Sequence, residues 1–144
     1  NDPPRRYEFA IRRLEDDALV GSCGLGGEFF SHGEAFVGIG IGDRQLWSRG
    51  YGTDAMQVIL RYAFQELNLR RVSLTTAEYN PRAIRSYEKA GFSHEGRLRK
   101  ILNKEGRRWD MLFMGILREG TERGRTVASQ TMARVRKAMR LDYF

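Results

Sequence analysis

The sequence predicts a mixed α/β domain, in which an antiparallel meander leads into a parallel strand–helix–strand crossover and closes with a hairpin. Three observations predict it. The first forty residues read as short apolar segments broken by polar turns. A helical apolar period beginning at Thr53 lies between two short strand patterns, and strands joined by a helix of that length must run parallel. A second, shorter helix pattern carries start and stop signals at both ends and precedes two long strand patterns.

In chain order, Tyr7 to Leu14 alternates and meets the polar turn Glu15-Asp16-Asp17. Ala18 to Phe30 then resumes the apolar pattern, which predicts a hairpin. Ser31-His32-Gly33-Glu34 is the next turn, and Ala35 to Ile41 is a third strand carrying Gly38, Gly40 and then Gly42. Glycine weakens a strand, so this pattern points to a bulge or to close approach by a backbone or ligand. From Thr53, residues Met56, Ile59, Leu60, Ala63, Phe64 and Leu67 recur at spacings of three and four, which puts them on one core-facing side of a helix. Val72 to Ala77 is β-branched and alternating, a strand. Asn80-Pro81 gives an N-cap and a proline at the first helical position, and Gly91 gives the C-terminal cap. Phe92 to Leu102 and Arg107 to Leu117 are strands about a turn at 103–106. Residues 118–144 form a basic extension with a helical pattern at Val127, Met132, Val135, Met139 and Leu141.

At 144 residues and 41% apolar content the chain is sized for one domain with a real core. It holds no run of eighteen apolar residues, and Asn1 to Arg6 lacks the apolar stretch of a secretory signal, so a cytoplasmic protein without a membrane partner is expected. Cys23 is the single cysteine, which permits no internal disulfide. Neither His32 nor His94 sits in a motif that would activate it, so it reads as a small core residue. The net charge of +7 is uneven. Residues 118–144 hold seven Arg/Lys against three Asp/Glu, net +4, which leaves +3 for residues 1–117. Such a surface suits a polyanionic ligand.

The segment Trp47-Ser48-Arg49-Gly50-Tyr51-Gly52-Thr53 falls between the glycine-bearing strand and the first helix. Free amides at a helix start bind anions, and glycines let a phosphate approach the backbone. The segment lacks the Lys-Ser/Thr of a P-loop and the third glycine of a dinucleotide fingerprint, which disfavours ATP hydrolysis and NAD binding. It resembles the pyrophosphate loop Gln/Arg-x-x-Gly-x-Gly/Ala of the GNAT superfamily of acetyltransferases, with Trp47 at the Gln/Arg position. That departure looks like the branch containing ribosomal-protein N-terminal (alanine) acetyltransferases. Asn80 to Phe92 is similar to the family's Asn-x-x-Ala/Ser-x-x-x-Tyr-x-Lys-x-Gly-Phe.

The resemblance, which runs roughly from Phe9 to Leu117, implies an acetyltransferase domain over residues 1–117 and a splayed sheet whose gap admits the pantetheine arm. It implies acetyl-CoA as co-substrate and no metal. Cofactor contacts would fall on Ile39, Ile41, Trp47, Ser48, Arg49, Gly50, Tyr51, Gly52, Thr53, Asn80 and Lys89. Tyr87 would be the general acid, because the departing CoA thiolate must be protonated and a phenol is a suitable donor. Phe36 stands where many relatives carry an acid, leaving Glu34 or Glu78 as candidates for a base acting through water. The partner is a primary amine, either a small molecule or a protein N-terminus, and the protein is expected to form a homodimer. The family also begins with a strand and two helices that wall the acceptor pocket; this sequence starts near the second strand, and the fold is expected without those elements. From another class, the tail residues Arg134, Arg136, Lys137 and Arg140 suggest a CoA-binding or RNA/ribosome-binding module. No base-reading motif accompanies them, and a solvated helix face is the favoured reading.

Overall fold

The computed structural model describes residues 6–119 and 139–142. Among these residues seven strands form one sheet, flanked by two helices. The meander consists of β1 (Arg6–Arg12), β2 (Leu19–Gly26) and β3 (Glu34–Ile41). The crossover helix α1 (Tyr51–Arg61) returns the chain to β4 (Arg71–Ala77). Helix α2 (Pro81–Ala90) then leads to the hairpin β5 (Ser93–Lys104) and β6 (Arg107–Leu117). Across the sheet the order is β5-β6-β4-β3-β2-β1, closed at the far edge by β7 (Met139–Asp142). The mixed α/β fold expected from the sequence is the one observed.

The core lies between the sheet and α1. Ala55, Met56, Ile59 and Leu60 are wholly or almost wholly buried against Phe9, Ile11, Leu25, Val72 and Met114. At about 25 cal/mol per Å² of apolar surface removed from water, this layer supplies the main stabilising term. Helix α1 begins two residues earlier than the apolar period indicates, because Gly50, at φ 87°, turns the chain directly into the helix. Tyr62 to Glu66 continue it as one π-helical turn. Strand β2 ends at Gly26 instead of Phe30. Gly27 has φ 133°, and Phe30 packs against the core from a short 3₁₀ turn.

The pairing that opens the site is that of β3 with β4. It is parallel and extends only over Glu34, Ala35 and Phe36 against Arg71, Val72 and Ser73. Beyond those three pairs β3 stays with β2 and β4 stays with β6, so the sheet splays, as expected. The extension departs from its predicted helix at Met139–Asp142, which pairs antiparallel with β1 from Ile11 to Glu8. An open strand edge offers a row of unpaired N–H and C=O groups, and such a tertiary contact overrides a weak helical period. The remaining predicted helix, with Val127, Met132, Val135, Arg134, Arg136 and Lys137, lies outside the described residues. Among the described residues no helix is long and apolar enough to cross a membrane.

Candidate active site

Where β3 and β4 diverge, the ends of β3, α1 and α2 enclose a groove of about 530 Å³. Ile39 and Ile41 form its strand wall, Gly50, Gly52 and Thr53 its α1 wall, and Asn80, Tyr87 and Lys89 its α2 wall, with Trp47 and Ser48 on the connecting loop. Arg49 and Tyr51, also expected here, do not line the groove. They lie in the same loop and helix start and face elsewhere.

Each wall has a local cause. Ser48 (φ 62°) and Gly50 (φ 87°) both adopt left-handed backbone, which folds the loop tightly before α1. Gly50 is the N-cap and carries no capping side chain, so the first-turn amides keep the donor capacity that a Ser or Asp cap would occupy. A Cβ at Gly50 would meet nothing within 4 Å, so the loop is open to an incoming group. Thr53 Oγ1 and Ser86 Oγ share a hydrogen bond of 3.1 Å, fixing α1 against α2. The indole Nε1 of Trp47 donates to the Ile41 carbonyl at 2.9 Å and ties the loop to the end of β3. The Asn80 side chain accepts from the Ala83 amide at 3.3 Å, the N-cap contact expected of it.

Tyr87 stands on the groove face of α2, half-buried and edge-on to the buried Phe92, with ring centroids 6.1 Å apart. Its hydroxyl has no hydrogen-bond partner among the described residues. Burial pushes the phenol pKa above its ordinary value, so it is protonated throughout the neutral range. Neither candidate base reaches the groove. Glu34 pairs with Arg71 at 3.6 Å, while Glu78 accepts from the Asp110 amide at 2.9 Å and pairs with Arg97 at 3.3 Å. Burial pushes the Cys23 thiol up to about 12, consistent with a core role. Among the described residues no cluster of three or more His, Cys, Asp or Glu side chains could hold a metal.

A second cavity of about 800 Å³ shares Ile39 and Gly40 with the groove. Its floor is paved by Gly24, Gly26, Gly38 and Gly40, with Phe36 and Thr75 at its side. Its one carboxylate, Glu8, is paired with Arg6 at 2.5 Å. The sequence reading missed this cavity, as well as Ser86, Arg82 and Arg85 in the groove. Only the fold shows which side of this helix faces the groove.

The profile of the acetyltransferase (GNAT) domain matches residues 1–93. The chain is 30% identical over 110 residues to an uncharacterized N-acetyltransferase, p20, of Bacillus licheniformis, covering 76% of this chain and 61% of that protein. It is 32% identical over 120 residues to a probable N-acetyltransferase, YjcK, of Bacillus subtilis, covering 81% and 64%. The chain thus spans about three-fifths of the length of these curated relatives. Among solved structures, spermidine N-acetyltransferase of Vibrio cholerae in complex with CoA and spermine superposes with a TM-score of 0.72. Its sequence identity is 28%, over 84% of this chain and 69% of that one.

Proposed function

Because the chain belongs to the acetyltransferase (GNAT) domain family, we propose that it transfers the acetyl group of acetyl-CoA directly to a primary amine. The observation that carries the proposal is the single groove bringing together the uncapped start of α1, the unpaired edge of β3 and the Tyr87 phenol. The diphosphate takes the amides of Gly50 to Thr53, where the helix dipole also favours an anion. The pantetheine arm follows the unpaired edge at Ile39 and Ile41 and passes beside Asn80.

The amine approaches from the glycine-paved cavity and meets the thioester carbonyl at the splay. Holding both reactants there removes most of the entropic barrier to their encounter. Nitrogen attack gives a tetrahedral intermediate whose oxyanion accepts from β3 amides near Gly38 to Ile41. On collapse the carbon–sulfur bond breaks, Tyr87 gives its proton to the departing sulfur, and the attacking nitrogen loses its extra proton to water, from which the phenolate is reprotonated. Glu34 and Glu78 are held by arginines, which supports an acceptor that needs no protein base. At pH 7 roughly 15% of an α-amine is neutral, against roughly 0.04% of a lysine side chain.

The acceptor's identity lies between a protein N-terminal α-amine, suggested by Trp47, and a polyamine, the substrate named for the Vibrio cholerae enzyme. The acceptor-side cavity offers a single, already paired carboxylate, which favours the α-amine over a multiply charged chain. Self-association is supported by a Vibrio cholerae relative described as dodecameric. A thiol-release assay with peptides, polyamines and lysine analogues tests the reading. Peptide α-amines are expected to react fastest, and turnover confined to lysine-like amines would refute the α-amine assignment.

A further inference from the structure

The groove holds a second positive region that the α1 amides do not account for. Arg82, Arg85 and Lys89 stand at i, i+3 and i+7 on α2, and all three line the groove. Arg44 adds a cation beside it. The Arg44 and Arg82 guanidinium carbons lie 5.6 and 5.2 Å from the Trp47 ring centroid, and that ring is anchored through its hydrogen bond to Ile41.

Outside the groove, Arg6 pairs with Glu8, Arg13 with Asp16, Arg71 with Glu34 and Glu95, and Arg97 with Glu78 and Asp110. Among the described residues no carboxylate pairs with Arg44, Arg82, Arg85 or Lys89. Like charges gathered on one cavity repel one another until an anion occupies it.

We propose that Arg82 and Arg44, ordered by Trp47, form a phosphomonoester subsite that takes the 3′-phosphate of CoA. The proposal rests on the CoA reading above and assigns a different anionic group to a different set of donors. A phosphomonoester carries about −1.5 to −2 charges at pH 7, so it needs more than one cation. The planar guanidinium fork matches its oxygens, and contact with an aromatic ring through the cation's face leaves the N–H donors on its edge free. Trp47 therefore orients the two guanidinium groups without consuming their hydrogen bonds.

The test is calorimetric titration of the whole chain with CoA and with 3′-dephospho-CoA, repeated for Arg82→Ala, Arg82→Lys and Arg44→Ala. The unaltered protein is expected to bind CoA about tenfold more tightly than dephospho-CoA, the scale of one charge-assisted contact. Each alanine variant should bring CoA affinity down toward that of dephospho-CoA while leaving dephospho-CoA binding unchanged. Arg82→Lys, which keeps the charge and loses the fork, should fall between. Equal affinity of the unaltered protein for the two ligands overturns the subsite. So does an Arg82→Ala variant that weakens both ligands alike, since the arginine then acts only by holding the loop. Binding of neither ligand by chain shown to be folded by circular dichroism overturns the CoA reading itself, an outcome distinct from equal binding.

Discussion

The phenol of Tyr87 has one chemical asset, a proton retained above the ordinary tyrosine range because half of the ring is withdrawn from water. Removing the hydroxyl in Tyr87→Phe keeps the edge contact with Phe92. It should lower kcat by about a hundredfold to ten-thousandfold, the span of general acid catalysis, with CoA affinity retained. Steady-state kinetics beside calorimetry checks both parts. The direction of the pKa shift also predicts the pH profile. Between the unfolded value, 10.0, and the higher folded one, the folded protein holds a proton that the unfolded chain has released. Stability from this group is therefore intact below pH 10 and declines as pH rises through the folded pKa. An alkaline limb of kcat that belongs to Tyr87 should lie above that of a free phenol and vanish in Tyr87→Phe.

Asn80 was legible as both cap and cofactor contact, and the structure supplies the cap while leaving the side chain at the groove wall. Asn80→Ala should reduce stability by about 0.5–2 kcal/mol through the lost cap, whereas Asn80→Ser should preserve most of it. Thermal denaturation of the two variants, set against CoA titration, separates capping from binding. Loss of CoA affinity in a stable serine variant supports a direct contact.

At the scale of elements, α1 carries the fold and presents the loop. Leu60→Ala empties a fully buried position and should cost about 2–5 kcal/mol, measured by chemical denaturation. The β5–β6 hairpin shows a different economy. Strand β5 is the exposed edge of the sheet, with Leu98 and Ile101 in solvent beside Arg97, Arg99, Lys100 and Lys104. Such cations blunt an edge against pairing with another copy. Inside the hairpin, Asp110 accepts from the Lys100 amide at 2.9 Å and from Arg97 at 2.6 Å, pinning a bulge in which Lys100 takes φ 57°. The backbone donor first, and Arg97 second, hold the Asp110 pKa below the usual carboxylate value. Its stabilising effect is therefore present above the unfolded pKa and lost as pH falls through the folded one. Acid unfolding followed by circular dichroism should be less steep below pH ~4 in Asp110→Asn.

At the scale of the molecule, the sheet is asymmetric because each strand's partners differ along its length. Strand β3 is paired with β4 at Glu34 to Phe36 and with β2 from Phe36 to Ile41, so its partner changes sides at Phe36. That asymmetry produces the splay, and the proposed reaction brings its two substrates together there.

The sequence by itself determined the order and type of the elements from β1 to β6, since hydrophobic period, caps and turn residues are local properties of the chain. It also marked the Trp47 to Thr53 loop and the Asn80 to Phe92 motif, because both are contiguous segments. Tertiary structure alone decided what the segments do together. Glu34 and Glu78 looked available in sequence and became occupied once Arg71 and Arg97 arrived from other strands. Met139–Asp142 read as helix and became a strand because β1 presented an open edge. Arg82, Arg85 and Lys89 of α2 line one groove because α1 and α2 dock through Thr53 and Ser86. Contacts between residues far apart in the chain depend on packing, and packing leaves no periodic trace in the sequence.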